Sequence, residues 1–302
     1  IRTMEFFPSV FRPHNLFYLP TALGINRLGD HAHLWNGQTN AFLSGQLWAA
    51  VWGAIAVGLV YRLVCRVLQP VHAVLLAGLF ATTYSLWAMS TEIEVYTFPL
   101  AAMAAMYTAL GARKPRLLRA GFFWGLAILG HLTNVLLGFP LLVYSVVFGG
   151  RMWWKRMIRL TIPAVLVAGG IYGLVGFGIV GVRSLPEFLA WIRSWTSTQI
   201  TYGHFGQFLQ GAVGMKRALV EGSARYWMIL YATVMAWPAL SALRAGGWTR
   251  KAAMVLLAHL AIIAMFFSWW EPLNIEFWLG ATLPLILLMA LGARAVVRSS
   301  SA

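Results

Sequence analysis

The sequence is short of acid and nearly without cysteine. Its 302 residues hold eight Asp plus Glu against 23 Lys plus Arg, and one cysteine, Cys65. A single cysteine excludes an internal disulfide. Charged residues are 10% of the chain, less than half the share of an ordinary soluble domain. There is no G-x-x-x-x-G-K-[ST] phosphate loop and no H-E-x-x-H zinc helix. Serine and histidine occur, but nothing marks a nucleophile triad.

What the chain has is apolar length. Hydrophobic residues make up 60%, and the mean hydropathy is +0.72. That composition belongs to a polytopic membrane protein. A net charge of +15 would point to nucleic acid in a soluble protein. Here the basic residues fall in short loops between apolar runs. The positive-inside rule explains them, and nucleic acid is not an expected partner. Richness in Ala, Gly and Arg points to a bacterial or archaeal plasma membrane.

About 20 apolar residues cross a bilayer as helix. The runs 41–61, 71–90, 95–112, 157–181, 224–243, 252–270 and 276–293 satisfy this. The run 120–149 does not. Its roughly 30 residues make about 45 Å of helix, too long for one crossing and short for two. Its flanks, "ARKPRLLR" (112–119) and "RMWWKRMIR" (151–159), each carry four basic residues and no acid. Both ends therefore belong on the cytoplasmic side, and the run is a short hairpin turning near "GHLTN" (130–134).

The expected fold is all-α, a polytopic transmembrane bundle of about nine crossings. It is a single domain over 1–302 with the N-terminus outside. In this topology the inside loops hold most of the 23 basic residues and none of the eight acids. Two long outward segments, 1–40 and 182–223, remain. The second contains "LPEFLAWIRSW" and "FGQFLQGAVGMKRALV", apolar at helical spacing, which reads as short interfacial helices.

Several outward polar groups are candidates for chemistry. Glu92 and Glu94 sit between apolar runs, where a buried carboxylate costs ~2.5–3.5 kcal/mol at mid-membrane and less near the surface. A general base, or a ligand for a cation bridging phosphates, must be such a group. Spacing i, i+2 sends them to different faces of a helix or to one face of an extended segment. The competing reading is two acids in a solvated loop. His131 and Asn134 share a helical face and fit a sugar or phosphate donor, or equally well helix–helix hydrogen bonding.

Glu271, Asn274 and Glu276 lie among aromatics in "SWWEPLNIEFW". They suit a pyranose ring, and the tryptophans also suit a headgroup boundary. His14 and Asn15 follow a proline in "FRPHNLFYLP". Asp30, His31 and His33 form a weak metal pattern. Arg183, Arg193, Lys216, Arg217 and Arg225 oppose the inward trend of basic residues. They can grip a lipid phosphate or merely solubilise a loop.

In order and spacing, "LWAMSTEIEVYTF", "GLAILGHLTNVLLGFP" and "WWEPLNIEFW" resemble polytopic GT-C-type glycosyltransferases related to protein O-mannosyltransferases. The likeness covers roughly residues 10–280. It implies inverting transfer of a mannose-like hexose from a polyprenyl-phosphate carrier to a protein or glycan acceptor outside the cytoplasm. It assigns catalysis to Glu94, with Glu92 beside it. It assigns substrate binding to His14, His131, Asn134, Arg193, Glu271 and Glu276.

The resemblance also implies a further transmembrane helix followed by an acid before Ile1, and the chain reads as lacking that helix. It leaves a divalent cation, Mg or Mn, as the candidate cofactor. The expected partners are the lipid-linked sugar, the acceptor and the bilayer. A transporter or a noncatalytic scaffold are the alternatives.

Overall fold

The computed structural model describes residues 16, 18–31, 39–92, 94–194, 206–219 and 236–300. These form helices throughout and no strand. In chain order they are α1 (Tyr18–His31), α2 (Thr39–Val64), α3 (Pro70–Ala81), α4 (Tyr84–Thr91), α5 (Thr97–Leu110) and α6 (Leu117–Gly130). There follow α7 (Gly138–Gly149), α8 (Trp153–Gly173), α9 (Leu185–Arg193), α10 (Gly206–Leu219), α11 (236–244), α12 (Gly247–Trp270) and α13 (Ile275–Ser300).

α5 is the centre. Its sequence, TFPLAAMAAMYTAL, is apolar or small on every face, as a helix surrounded by other helices requires. All of its residues but Thr108 are buried, against α2 on one side and α6 on another. The Tyr107 hydroxyl meets His259 Nδ1 at 2.8 Å and joins α5 to α12.

The run 120–149 is a hairpin. Gly121 abuts the Leu160 carbonyl, and Gly125 abuts Ala164 and Val167. The contacts advance together, so α6 and α8 run parallel. Glycine at these two crossings lets the backbones close without a side chain between them. The chain between two parallel helices has to run back, and α7 does so. Trp124 of α6 donates its Nε1–H to the Asn134 carbonyl at 3.0 Å, and Gly138 lies against the same indole. A second reversal follows at Gly150, whose φ of 54° is left-handed.

The expected span 71–90 is not straight. α3 and α4 meet at 64° across Thr82 and Thr83. The threonine hydroxyls donate back to the carbonyls of Gly78, Leu79 and Phe80 in the last turn of α3. The expected span 157–181 ends in a π-helical turn, Leu174–Val180. Residues 176–181, GFGIVG, have the spacing G-x-G-x-x-G. They follow a helix and not a strand, so they are not a dinucleotide loop.

Among the described residues four helical tracts are long and apolar enough to cross a bilayer, five if α3 and α4 are one bent crossing. α5 and α6 are shorter apolar helices of 14 residues. The nine expected crossings exceed that number. The expected span 224–243 falls largely outside the described residues.

The two outward helices differ. α9 has a serine cap, with Ser184 Oγ accepting from the Glu187 N–H at 3.4 Å, and it leaves Leu185 and Leu189 exposed. α10 docks into the protein. Gly211 packs on Ser268 at the end of α12, and Gly214 on Pro272 and Trp278. It thereby clamps the loop between α12 and α13.

Candidate active site

Three chain breaks meet at one end of the bundle. The first lies between α4 and α5. α4 stops at Thr91, whose carbonyl accepts from Gln46 Nε2 at 2.8 Å. Glu92 is exposed beyond it, and Glu94 returns half-buried toward the start of α5. The second is the turn after α6. His131 takes an extended conformation, φ −158° and ψ 125°, and ends the helix. Gly130 just before it packs on Phe98 and Pro99, with Phe98 Cδ1 2.7 Å from where a Cβ would stand. That close approach carries His131 to the mouth of α5. The third is the turn Glu271–Asn274 before α13.

Tyr96 stands at the junction. Its ring lies 5.1 Å from that of His131 and 6.2 Å from that of Phe277, centre to centre. Its hydroxyl lies beside Glu276, and Glu94 and Glu271 are the charges that act on it next most strongly. Burial first, then these three carboxylates, push the phenol well above its ordinary range, so it stays protonated as a donor.

Glu94 is the perturbed acid. Burial, then Glu276, then Glu92 push its carboxyl up from 4.5 to about 7, while a hydrogen bond from the Val95 backbone opposes them. The repulsion from Glu276 exceeds that from Glu92, which is two residues away in sequence. Chain neighbours thus matter less than the partner the fold brings in from α13. A carboxyl near neutrality accepts and returns protons at physiological pH.

The remaining polar groups hold the loops. His131 Nδ1 and Thr133 Oγ1 are 2.6 Å apart. Asn134 Nδ2 donates to the carbonyls of Ala127 and His131, both at 3.0 Å, and so closes the end of α6. Asn274 Nδ2 donates to Glu271 at 3.1 Å, and its Oδ1 accepts from the Glu276 N–H at 3.2 Å. Trp278 Nε1 donates to the Pro272 carbonyl at 2.9 Å.

Of the residues singled out in the sequence, Glu94, Glu271, Glu276, His131 and Asn134 come together. Glu92 is at the edge, exposed. Arg193 is not part of the group; it ends the exposed α9. His14 and His33 lie outside the described residues, as do the side chains of Asp30 and His31. Sequence reasoning missed Tyr96 and Phe277. Both were inside quoted motifs, and Tyr96 is two residues from Glu94, on the same side of an extended segment.

Beneath Tyr96, His131, Thr133, Asn134, Glu276 and Phe277 lies a cavity of about 40 Å³. That is room for a few waters and not for a hexose. Among the described residues no three His, Cys, Asp or Glu side chains converge as a metal set. Glu94 and Glu276 are the two that a cation at this end would meet.

Apolar helices arranged around a buried α5, with carboxylates gathered at one end, define an integral membrane protein with a polar site at its rim. Residues 38–172 match the family model described as dolichyl-phosphate-mannose-protein mannosyltransferase. Over that segment, somewhat less than half of the chain, the sequence is similar to membrane mannosyltransferases of the GT-C type. The segment contains Glu92, Glu94, His131 and Asn134, while Glu271 and Glu276 lie beyond it. No curated protein and no solved structure matches the chain.

Proposed function

We propose that the protein transfers a hexose from a polyprenyl-phosphate carrier to a hydroxyl acceptor, at the end of the bundle where the carboxylates gather. The observation that supports this most is Glu94, raised to about 7 by burial and by Glu276. The family match supports the same class of chemistry.

In this reading Glu94 is the base. The acceptor oxygen attacks C1 of the sugar as its proton passes to the Glu94 carboxylate. The bond from C1 to the phosphate oxygen breaks, and the electron pair leaves with the polyprenyl phosphate. The configuration at C1 inverts. A base poised near neutral pH is deprotonated often enough to act and basic enough to take the proton. Glu276, beside Tyr96 and Asn274, holds sugar hydroxyls. The aromatic faces of Tyr96 and Phe277 supply stacking surface for the pyranose. The sugar sits at the mouth of the site, and the small cavity below holds water. Mg or Mn is the cofactor candidate; Glu94 or Glu276 would hold it, and it would supply positive charge for the leaving phosphate, though no step above depends on it. In this reading the basic loops at the other end lie in the cytoplasm, in keeping with the positive-inside rule, and this end faces outward.

The test is hexose transfer in membranes carrying the full-length protein. A radiolabelled polyprenyl-phosphate hexose is supplied with a serine- and threonine-containing peptide. Glu94→Gln is expected to abolish transfer while the protein still inserts in the membrane. Wild-type rates in that variant would remove Glu94 from catalysis.

A further inference from the structure

The opposite end of the bundle has its own built space. A cavity of about 250 Å³ lies between α2, α5, α7, α12 and α13, walled by Leu63, Leu110, Val255, Leu256, Leu287 and Leu291. It opens into a basin of about 690 Å³, and the two share Val67, Gly111, Ala112, Arg113 and Trp248. Three arginines from separate parts of the chain line the basin: Arg66 after α2, Arg113 after α5 and Arg294 in α13. Arg156 of α8 reaches the cavity itself. Among the described residues no carboxylate lines either space.

We propose that this end binds an anionic phospholipid, its phosphate among Arg66, Arg113 and Arg294 and an acyl chain in the apolar cavity beneath.

Cationic loops at one end of a membrane protein are ordinary, and charge alone would mean little. The arrangement is less ordinary. Arg66 and Arg113 are exposed, yet with Arg294 they line one concavity. Arg66 donates to the Thr108 carbonyl at 2.7 Å, and the Arg294 guanidinium lies 5.7 Å from the centre of the Trp248 ring. Both are thereby held at the rim. Burial, then the charges of Arg62 and Arg116, hold Arg66 below its usual value. An anion beside Arg66 offsets both effects, and guanidinium matches phosphate in two-point geometry.

A second observation points inward. Tyr144 is 5% exposed, faces the cavity, and its hydroxyl is buried without a well-formed hydrogen bond, next to Arg156. An unsatisfied hydroxyl at the side of an apolar pocket suits an ester oxygen. Free phosphate would occupy the basin and leave the apolar cavity without purpose. A phospholipid fills both. The positive-inside rule puts this end beside the leaflet rich in anionic lipid, and basic pockets between transmembrane helices there hold lipid head groups. The site lies away from Glu94, and the proposal does not depend on the glycosyltransferase reading.

The experiment uses delipidated full-length protein in detergent, with lipid adducts read by native mass spectrometry and stability by melting temperature. Phosphatidylglycerol is expected to bind and raise the melting temperature. Phosphatidylcholine and inorganic phosphate are expected to do neither. Arg113→Gln with Arg294→Gln should weaken phosphatidylglycerol at least about tenfold. Ala252→Phe, which fills the cavity without touching charge, should weaken it as well. Equal binding of phosphatidylcholine would overturn the proposal. So would an equal effect of inorganic phosphate, or tighter binding of undecaprenyl phosphate, which would name the carrier as the occupant. These comparisons use the wild-type protein, so they decide even if a variant fails to fold. Unchanged phosphatidylglycerol binding in both variants would also overturn it.

Discussion

The Tyr96 hydroxyl stands beside the Glu276 carboxylate, so the start of α5 meets the start of α13. The contact joins two motifs 180 residues apart. With its phenol held protonated, Tyr96 is a donor facing Glu276, whose backbone N–H donates in turn to Asn274 Oδ1. Tyr96→Phe keeps the ring against His131 and Phe277 and removes the donor alone. A hydrogen bond to a charged group contributes about 1.5–3 kcal/mol, so transfer should fall roughly 10- to 100-fold. The loss should appear in KM if Glu276 binds ground-state sugar, and in kcat if the contact tightens in the transition state. Steady-state kinetics on both variants, Tyr96→Phe and Glu276→Gln, checks this.

Glu94 carries a pH signature of two kinds. As a base it works deprotonated, so transfer should rise with pH through about 7. Glu276→Gln removes the larger of its two repulsions, so the inflection of whatever activity remains should move to lower pH. Stability runs the other way. The folded carboxyl titrates at about 7 and the unfolded one near 4.5, so the unfolded chain binds fewer protons between them. Stability therefore falls as pH rises through that window and levels above it. Glu94→Gln should raise the melting temperature at pH 8 and lose that advantage near pH 4. Melting curves at both values decide it. A pH-independent difference would mean that Glu94 is not strained by its charge.

Asn134 separates support from chemistry. Its amide donates to the carbonyls of Ala127 and His131, which also accept from the backbone N–H groups of His131 and Asn134. Asn134→Ala leaves neither acceptor unpaired and should cost about 0.5–1.5 kcal/mol for each hydrogen bond lost. Activity per folded molecule should change little, with KM near the wild-type value. Thermal unfolding combined with kinetics checks it. A raised KM with unchanged stability would restore Asn134 as a sugar ligand.

The reversal at 120–149 could be read from the sequence because charge at its two ends constrains direction even where length does not. The bend between α3 and α4 could not. Pro70 begins α3, but neither glycine nor proline marks Thr82 and Thr83, and hydroxyls that bond backward leave no periodic signal. Glu94 was legible as a costly acid at the mouth of an apolar helix. Its partner was not. Glu276 reaches it through the docking of α5 against α12 and α13, and only tertiary structure supplies that. Tyr96 was passed over because a tyrosine beside a membrane boundary ordinarily needs no explanation. Arg193 was read from charge alone, and charge does not say which helix an exposed arginine belongs to.

The packing of α6 on α8 makes the last prediction. Gly121 lies so close to the Leu160 carbonyl that a methyl group has no room, and at Gly125 a Cβ would stand 2.9 Å from that of Val167 and 3.0 Å from the Ala164 oxygen. The obstacles are backbone and a β-branched side chain, neither of which can swing away. Gly121→Ala must push the helices apart. That cost, about 1–3 kcal/mol for overpacking, exceeds the 0.5–1 kcal/mol that alanine gains over glycine inside a helix. Gly58 and Gly78 supply the contrast, since both are helical with nothing within 4 Å of an added Cβ. Gly58→Ala and Gly78→Ala should therefore be neutral or stabilising, while Gly121→Ala lowers the melting temperature. Because the end of α6 presents His131 to Tyr96, the same variant should also reduce transfer per folded molecule. Equal melting temperatures for all three variants would show that α6 and α8 do not meet as closely as Gly121 requires.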